Sequence, residues 1–409
     1  MQVLYPRCGG LDVHKDSVVA CARIVTESDV EQDVETFGTT TSALLELSEW
    51  LERRGVTHVA MEATGVYWKP VWHVLEGSFE LILANAMHIK NVPGRKTDVN
   101  DAMWIADLLA HGLIRGSFVP PTRVQDLRSL TRTRKQLVRE KSAHVQRIEK
   151  VLEDAHLKIG SVLSDIMGET GRAVLRAIVA GETDPEKLLA CVGKRRLKAS
   201  RAQLLEALRG RLRPHHRFML KLHLQQVDSL DHAIATIEAE VGESLQPFRE
   251  AAQRLTTIPG VSDVAASVIV AEIGIDMSRF PTAGHLLSWA GLCPKNDESA
   301  GKRRSTRIRK GAPWLKTALV QCAWAATRAK GTYLRAQFLR LKSHRGPRKA
   351  IIAVAGSILT AVYFMLRNGT TYQDLGDDYF ERGDRARAAV RLVRRLQRLG
   401  YTVQVEEAA

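Results

Sequence analysis

The chain has 409 residues with an ordinary apolar share of 45%, enough for about two to three domains with real cores. Sixty Lys and Arg against forty-five Asp and Glu leave a net charge of +15, which points to a polyanionic partner, nucleic acid before a membrane surface. Five scattered cysteines without a C-x-x-C pair argue against a disulfide framework or zinc ribbon. The opening "MQVLYPRCGGLDVHK" lacks a signal-peptide pattern, and no apolar run approaches the ~20 residues of a spanning helix, so a cytoplasmic protein with no membrane partner is expected.

Residues 8 to 120 alternate strand and helix signals. "CGGLDVHKDSVVACARIV" reads as two strands around a turn. "TSALLELSEWLERRG" reads as an amphipathic helix with Thr41 or Ser42 as its cap and Gly55 as its stop. "VTHVAMEATG" is a buried strand ending in an acid, "VYWKPVWHVLEG" a helix with Pro70 near its first turn, and "FELILANA" a further short strand. "DVNDAMWIADLLAHGLI" follows as a helix with Ala102, Ile105, Leu108 and Leu109 on one face, before "SFVPPT" breaks the pattern. Such alternation predicts an α/β layer structure.

Residues 122 to about 250 read as almost wholly helical. Seven-residue spacing links Leu130, Leu137, His144 and Val151, and a second row links Leu127, Arg134, Lys141, Ile148 and Ala155. The rows are partly polar, a coiled-coil pattern that fits long antiparallel helices or a surface for a partner helix. "GKRRLKAS" at 193–200 is a basic insertion, either a solvated loop or a phosphate contact. "LTTIPGVSDVAASVIVAEIG" has the pattern of a helix-hairpin-helix. Its tight turn at Pro259-Gly260-Val261 offers backbone N–H groups to a phosphate, with a plain helix connection as the equal alternative. The last stretch carries the basic helix "RARAAVRLVRRLQRLG".

Two constellations carry chemistry. Asp12 in "GGLDVHK" and Glu62 in "AMEATG" belong to strands, and Asp98 and Asp101 stand three apart at the start of a helix. Four carboxylates that converge repel one another steeply unless cations lie between them, and two Mg²⁺ ions (or Mn²⁺) in all-oxygen shells would relieve the repulsion. Such a pair would also hold the attacking and leaving oxygens of a phosphodiester. Taken singly, each acid reads as a solvated or capping residue.

The second constellation is "KNDESAGKRRSTRIRKG". Ser299 directly precedes a run containing Lys302, Arg303, Arg304, Arg307, Arg309 and Lys310 with no acid among them. The run can bind several phosphates and lower the charge barrier for a hydroxyl attacking one. No histidine lies nearby in sequence, so a hydrolase triad is not supported. Ser305 is the competing serine, and a basic loop with an ordinary serine is the plain alternative. Trp289 and Trp314, which flank the segment, read as core anchors before base-stacking platforms.

Together, "GLDVHKDSV", "MEATGVYWKPV", "NAMHIKNVPGRKTDVNDAMWIADLL", "TIPGVSDVAASVIVAEIG" and "WAGLCPKNDESAGKRRSTRIRKG" resemble the successive motifs of the DEDD transposases of the IS110 family of insertion sequences, over roughly residues 8 to 372. The resemblance implies a RuvC-like, RNase H-fold domain over 1–121, with Asp12, Glu62, Asp98 and Asp101 as its metal-binding acids. It further implies a helical or coiled-coil region over 122–250, a mainly α transposase domain over 251–372 with Ser299 as the catalytic serine, and a basic helical tail over 373–409. The implied activity is RNA-guided recombination through a covalent phosphoserine intermediate and a Holliday junction. Donor and target double-stranded DNA and a noncoding bridge RNA are the implied partners, and a dimer of dimers, in which the acids of one protomer complete the serine site of another, is the implied assembly. A metal-dependent, structure-selective endonuclease of the RuvC (Holliday junction resolvase) type is the alternative, and a non-catalytic nucleic-acid-binding protein is a third reading.

Overall fold

The computed structural model describes residues 2–26, 29–63, 65–84, 89, 101–191, 199–294, 297–299, 301–305, 307–309, 311–382 and 385–404. For residues 297–299, 303, 304, 381, 382, 385–388 and 391 it describes the backbone alone. The chain divides into two units, Met1–Val119 and Pro120–Ala409.

The first unit is an α/β layer structure. Strands β1 (Arg7–Val13), β2 (Ser17–Val25) and β3 (Val30–Gly38) form an antiparallel meander. Helix α1 (Thr41–Arg53) leads to β4 (His58–Glu62), and α2 (Trp68–Leu75) leads to β5 (Glu80–Ala84). Both later strands run parallel to β1, giving the mixed sheet order β3-β2-β1-β4-β5. Side chains alternate across a strand, so each strand feeds two cores. Leu11, Val13, Val59, Met61 and Leu83 pack with Leu44, Leu47, Trp50, Val71 and Leu75 of α1 and α2. Cys8, Ala60 and Ala84 face the other way, against Ile105, Leu108 and Leu109 of α3 (Asp101–Ala110).

Two details depart from the sequence reading. The cap of α1 is Thr40, whose hydroxyl accepts from the Ala43 N–H, because residue 41 already has helical backbone and only the residue before it can reach back. Strand β3 was not foreseen: "VEQDVETFG" is exposed at every position but Phe37, so it carries no apolar alternation, and it exists because β2 offers it a partner.

In the second unit, α4 (Thr122–Asp154) and a second long helix (Pro214–Ser244) lie antiparallel. Arg134 pairs with Glu238, Lys141 with Asp231 and Asp154 with His216, so the partner number falls as the α4 number rises. This explains the mixed heptad row. Leu127, Ile148 and Ala155 are buried, and the two charged members of the row end in ion pairs on the opposing helix. Helices α5 (Glu169–Ala180), α6 (Pro185–Ala190) and α7 (Arg201–Leu208) lie between the long helices in sequence, the second of which is α8. The core at this end joins Ile148 and Leu152 to Val174, Ile178, Leu188, Leu208 and Leu220. Residues 192–198, which hold most of the basic insertion, lie outside the described residues.

The rest is mainly helical: α9 (Arg249–Thr256), α10 (Asp263–Ile273), α11 (Ala283–Ala290), the hairpin β6 (Asp297–Ser299) and β7 (Lys302–Ser305), then α12 (Pro313–Ala326), α13 (Tyr333–Arg345), α14 (Pro347–Asn368) and α15 (Arg385–Arg398). Helix α14 corrects one expectation. It is long and apolar enough to cross a membrane by length and composition, although Gly356, Ser357 and Thr360 interrupt its apolar run. More than half of its most apolar window is buried inside the protein, and the Tyr363 hydroxyl donates to the Phe280 carbonyl at 3.0 Å, as in a core helix.

Candidate active site

Asp12 and Glu62 directly follow a pair of in-register residues on adjacent parallel strands. Strands β1 and β4 are parallel with Leu11 opposite Met61, and the next step of that register sets Asp12 beside Glu62. In-register residues of parallel strands share a face, with strands about 4.8 Å apart. The face is that of α3, since Gly10 and Ala60, two residues back on each strand, both meet that helix.

The direction of α3 then matters. The Cys8 thiol donates to the Ala106 carbonyl at 3.4 Å, and Gly10 lies against the backbone of Ala102 and Ala106. Movement toward the end of β1 is therefore movement toward the start of α3. Two strand residues advance about 6.7 Å, roughly four residues of helix, so Asp12 falls level with the opening of α3. Asp101 is the first residue of that helix. Three of the four predicted acids thus belong to one end of one face, although they are 89 positions apart at the extremes. Asp98 lies outside the described residues, and no group of three or more candidate metal ligands is assembled among the described ones. The donor set itself, carboxylates at two strand ends and a helix start, suits a hard, oxygen-seeking cation such as Mg²⁺.

The sequence reading missed His14. Its Nε2 lies 3.0 Å from Asp12 Oδ2, with the Asp12 side chain 19% exposed. Positions i and i+2 share a strand face, so "DVH" was the available signal.

Ser299 ends β6, where it pairs with Lys302 of β7. Gly301, just before β7, has φ +72°, a left-handed conformation that glycine supplies at low cost. The Ser299 side chain, those of Arg303 and Arg304, and all of Lys310 lie outside the described residues. Lys302, Arg307 and Arg309 are exposed. Arg309 donates to the Ser288 hydroxyl at 3.3 Å, and Lys316 donates to the Arg309 carbonyl at 3.0 Å, tying the loop to α11 and α12. Ser305 is half-buried and its hydroxyl accepts the Arg307 N–H at 3.2 Å, a local turn contact.

Gly260 joins α9 to α10 with φ +86°. A Cβ there would stand 2.4 Å from the Cys322 carbonyl oxygen and 2.5 Å from the Ala326 nitrogen. Close approach to α12 therefore accounts for this glycine by itself, and the neighbouring Val261 N–H donates to the Ile258 carbonyl at 3.0 Å.

Residues 9–157 match the family model of IS110-type DEDD transposases, and residues 252–339 match the model described as the transposase IS116/IS110/IS902 family. The chain belongs to the IS110 family of transposases. It is 26% identical over 323 residues to a probable family 20 transposase of Pseudomonas aeruginosa, covering 77% of this chain and 85% of that one. It is 25% identical over 296 residues to the transposase for insertion sequence element IS1111A of Coxiella burnetii, covering 71% and 72%. An insertion element IS110 protein of Streptomyces coelicolor is 36% identical over 123 residues, 29% of each chain. This IS110-family transposase is accordingly an enzyme acting on DNA, and its positive charge finds its polyanion. The two matched stretches hold all four acids and the serine hairpin respectively.

Proposed function

We propose that this transposase cuts and rejoins DNA through Ser299, with Asp12, Glu62, Asp98 and Asp101 as a metal-binding tetrad on an RNase H-like domain. The observation that supports this most is the register that sets Asp12 beside Glu62, on the face whose helix opens at Asp101. The sheet order, with three antiparallel strands followed by two parallel ones, is the arrangement an RNase H-like reading requires.

In the reaction, the Ser299 hydroxyl oxygen forms a bond to phosphorus as one P–O bond to deoxyribose breaks. The serine proton passes to a base, and the departing oxygen takes up a proton to become a free strand-end hydroxyl. The phosphoserine ester keeps the energy of the broken linkage, so a second hydroxyl can attack it and restore the serine. A divalent cation held by the acids would neutralise charge on the phosphoryl oxygens. Lys302, Arg303, Arg304, Arg307, Arg309 and Lys310 hold the DNA backbone beside the serine, and the Gly260 N–H, beside the already bonded Val261 N–H, is the turn's donor to a further phosphate.

In the same reading, residues 1–121 carry the acids, 122–250 the subunit contacts, 251–372 the serine and 373–409 an accessory basic helix. The protein works as a dimer of dimers with a noncoding bridge RNA that selects donor and target DNA by pairing. The relatives named as transposases do not favour the resolvase alternative.

The test is an adduct assay with the protein, its element's RNA, donor and target DNA and Mg²⁺. A covalent protein–DNA species resistant to denaturant is expected, absent in Ser299→Ala while DNA binding persists. Asp12→Asn, Asp98→Asn and Asp101→Asn should each stop cleavage. Free DNA ends without attached protein would mean that water is the nucleophile.

A further inference from the structure

Helices α4, α10 and α12 enclose a cavity of about 530 Å³ that the proposed chemistry does not use. The apolar part of its lining is Val138, Val264, Ala265, Val268, Ala318 and Ala325, of which Ala318 is buried and Val138, Val264 and Ala325 are exposed. Trp314, on the first turn of α12, forms one wall. Three cations of α4 stand over the indole: Arg139 at 5.5 Å, Arg132 at 5.6 Å and Lys135 at 5.7 Å from the ring centroid.

These cations are not equivalent. The one acid in the lining, Glu272, is 1% exposed, and both its oxygens accept from Arg132 at 2.8 Å. Arg134 is taken by Glu238. Lys135 and Arg139 make no ion pair with any described residue. Burial and the nearby Arg139 guanidinium also hold the Lys135 ammonium below its ordinary range. An anion placed between these two groups would relieve that repulsion, because both would then have a counter-charge. The lining thus joins two cations unpaired among the described residues, an apolar surface and an aromatic side chain. That combination matches a nucleotide, whose phosphate is charged and whose base is flat and nearly apolar on its faces. The volume is within the range of small-ligand sites.

We propose that this cavity takes an unpaired DNA base, with the Trp314 indole against its face and its phosphate between Lys135 and Arg139. A paired base has both faces stacked and its edge hydrogen-bonded, so it cannot enter; the site selects single-stranded or unstacked DNA. The inference rests on the family's action on DNA and is independent of the serine and acid assignments.

The full-length protein would be titrated into a labelled single-stranded DNA of about 20 nucleotides, its duplex and the matching RNA, by anisotropy at several salt concentrations. Trp314→Leu is expected to weaken single-stranded DNA binding by about tenfold or more, with duplex binding little changed. Trp314→Phe should keep most of the affinity but lose the tryptophan quenching seen on binding. Lys135→Gln and Arg139→Gln should each lower the slope of log K against log salt by about 0.7. Arg139 is exposed, so its variant tests the rim without risk to folding. Wild-type affinity and slope in the Trp314→Leu and Arg139→Gln proteins would overturn the proposal, as would equal losses on single strand and duplex. A loss confined to RNA, or a changed oligomeric state with unchanged DNA binding, would overturn it as well.

Discussion

Gly10 is the point where fold and candidate site meet, and Gly10→Ala puts a number on that meeting. The added Cβ would lie 2.2 Å from the Ala102 carbonyl oxygen and 2.4 Å from the Ala106 nitrogen. Both are helix backbone, so no rotamer change relieves the clash, and α3 must retreat by about 1 Å to reach ordinary contact. A gap of that size forfeits a quarter to a half of the dispersion energy of each contact along the interface. Overpacking of this kind costs about 1–3 kcal/mol, and the rigid neighbours place it at the upper end. The entropic gain of replacing glycine in a strand, about 0.5–1 kcal/mol, offsets only part.

Gly9→Ala is the control. Its Cβ would meet Leu51 and Val59 methyls at 3.3 and 3.4 Å, which can give way, so the cost should stay below about 1 kcal/mol. Urea denaturation of the two variants, followed by far-UV circular dichroism, makes the comparison. Gly10→Ala should lower the unfolding free energy by about 2 kcal/mol relative to Gly9→Ala. Because α3 carries Asp101 toward Asp12, cleavage should fall in Gly10→Ala even where the protein remains folded. Equal midpoints for the two variants would refute the packing described for α3 on β1.

Glu272→Ala leaves the mostly buried Arg128 and the partly exposed Arg132 without their acid and should cost about 3 kcal/mol by chemical denaturation, the low end for a buried pair because water reaches Arg132. The Arg128 guanidinium, held down to about 10 chiefly by burial, would be the group most exposed to that loss. Burial and the neighbouring His144 hold the His223 imidazole below its ordinary value, so the folded state binds fewer protons than the unfolded one. Stability of the long-helix pair should therefore be full above about pH 6.5 and decline as pH falls below it; His223→Gln should flatten that profile in pH-dependent melts. Arg23 is 5% exposed with Nε and Nη1 unpartnered and a 3.3 Å contact to Asp107, so Arg23→Met should be neutral or stabilising by up to about 1 kcal/mol in thermal melts. Ser305→Ala should retain the covalent DNA adduct that Ser299→Ala loses, read on a denaturing gel, because the Ser305 hydroxyl serves a turn.

Local pattern determined a good deal here. Period-two and period-3.6 hydrophobicity marked β1, β2, β4, β5, α1, α2 and the buried face of α3, because burial imprints itself on spacing wherever one side of an element is apolar. The breaks at Pro120 and Pro121 and the long helices beyond were legible for the same reason. Strand β3 was not, since its residues are polar on both faces and its partner is another strand.

Tertiary structure alone decided what meets what. Asp12 and Glu62 are fifty positions apart, and only the β1–β4 register, which pairs the residues just before them, brings their strand ends together. The charged members of the α4 heptad row gain meaning only from Glu238 and Asp231 on the opposing helix. Trp314, read as a core anchor from its flanks, forms a cavity wall because α4 passes over it with three cations. Spacing in a sequence records each element's own burial, but contacts between distant elements depend on register and helix direction, which no local pattern encodes.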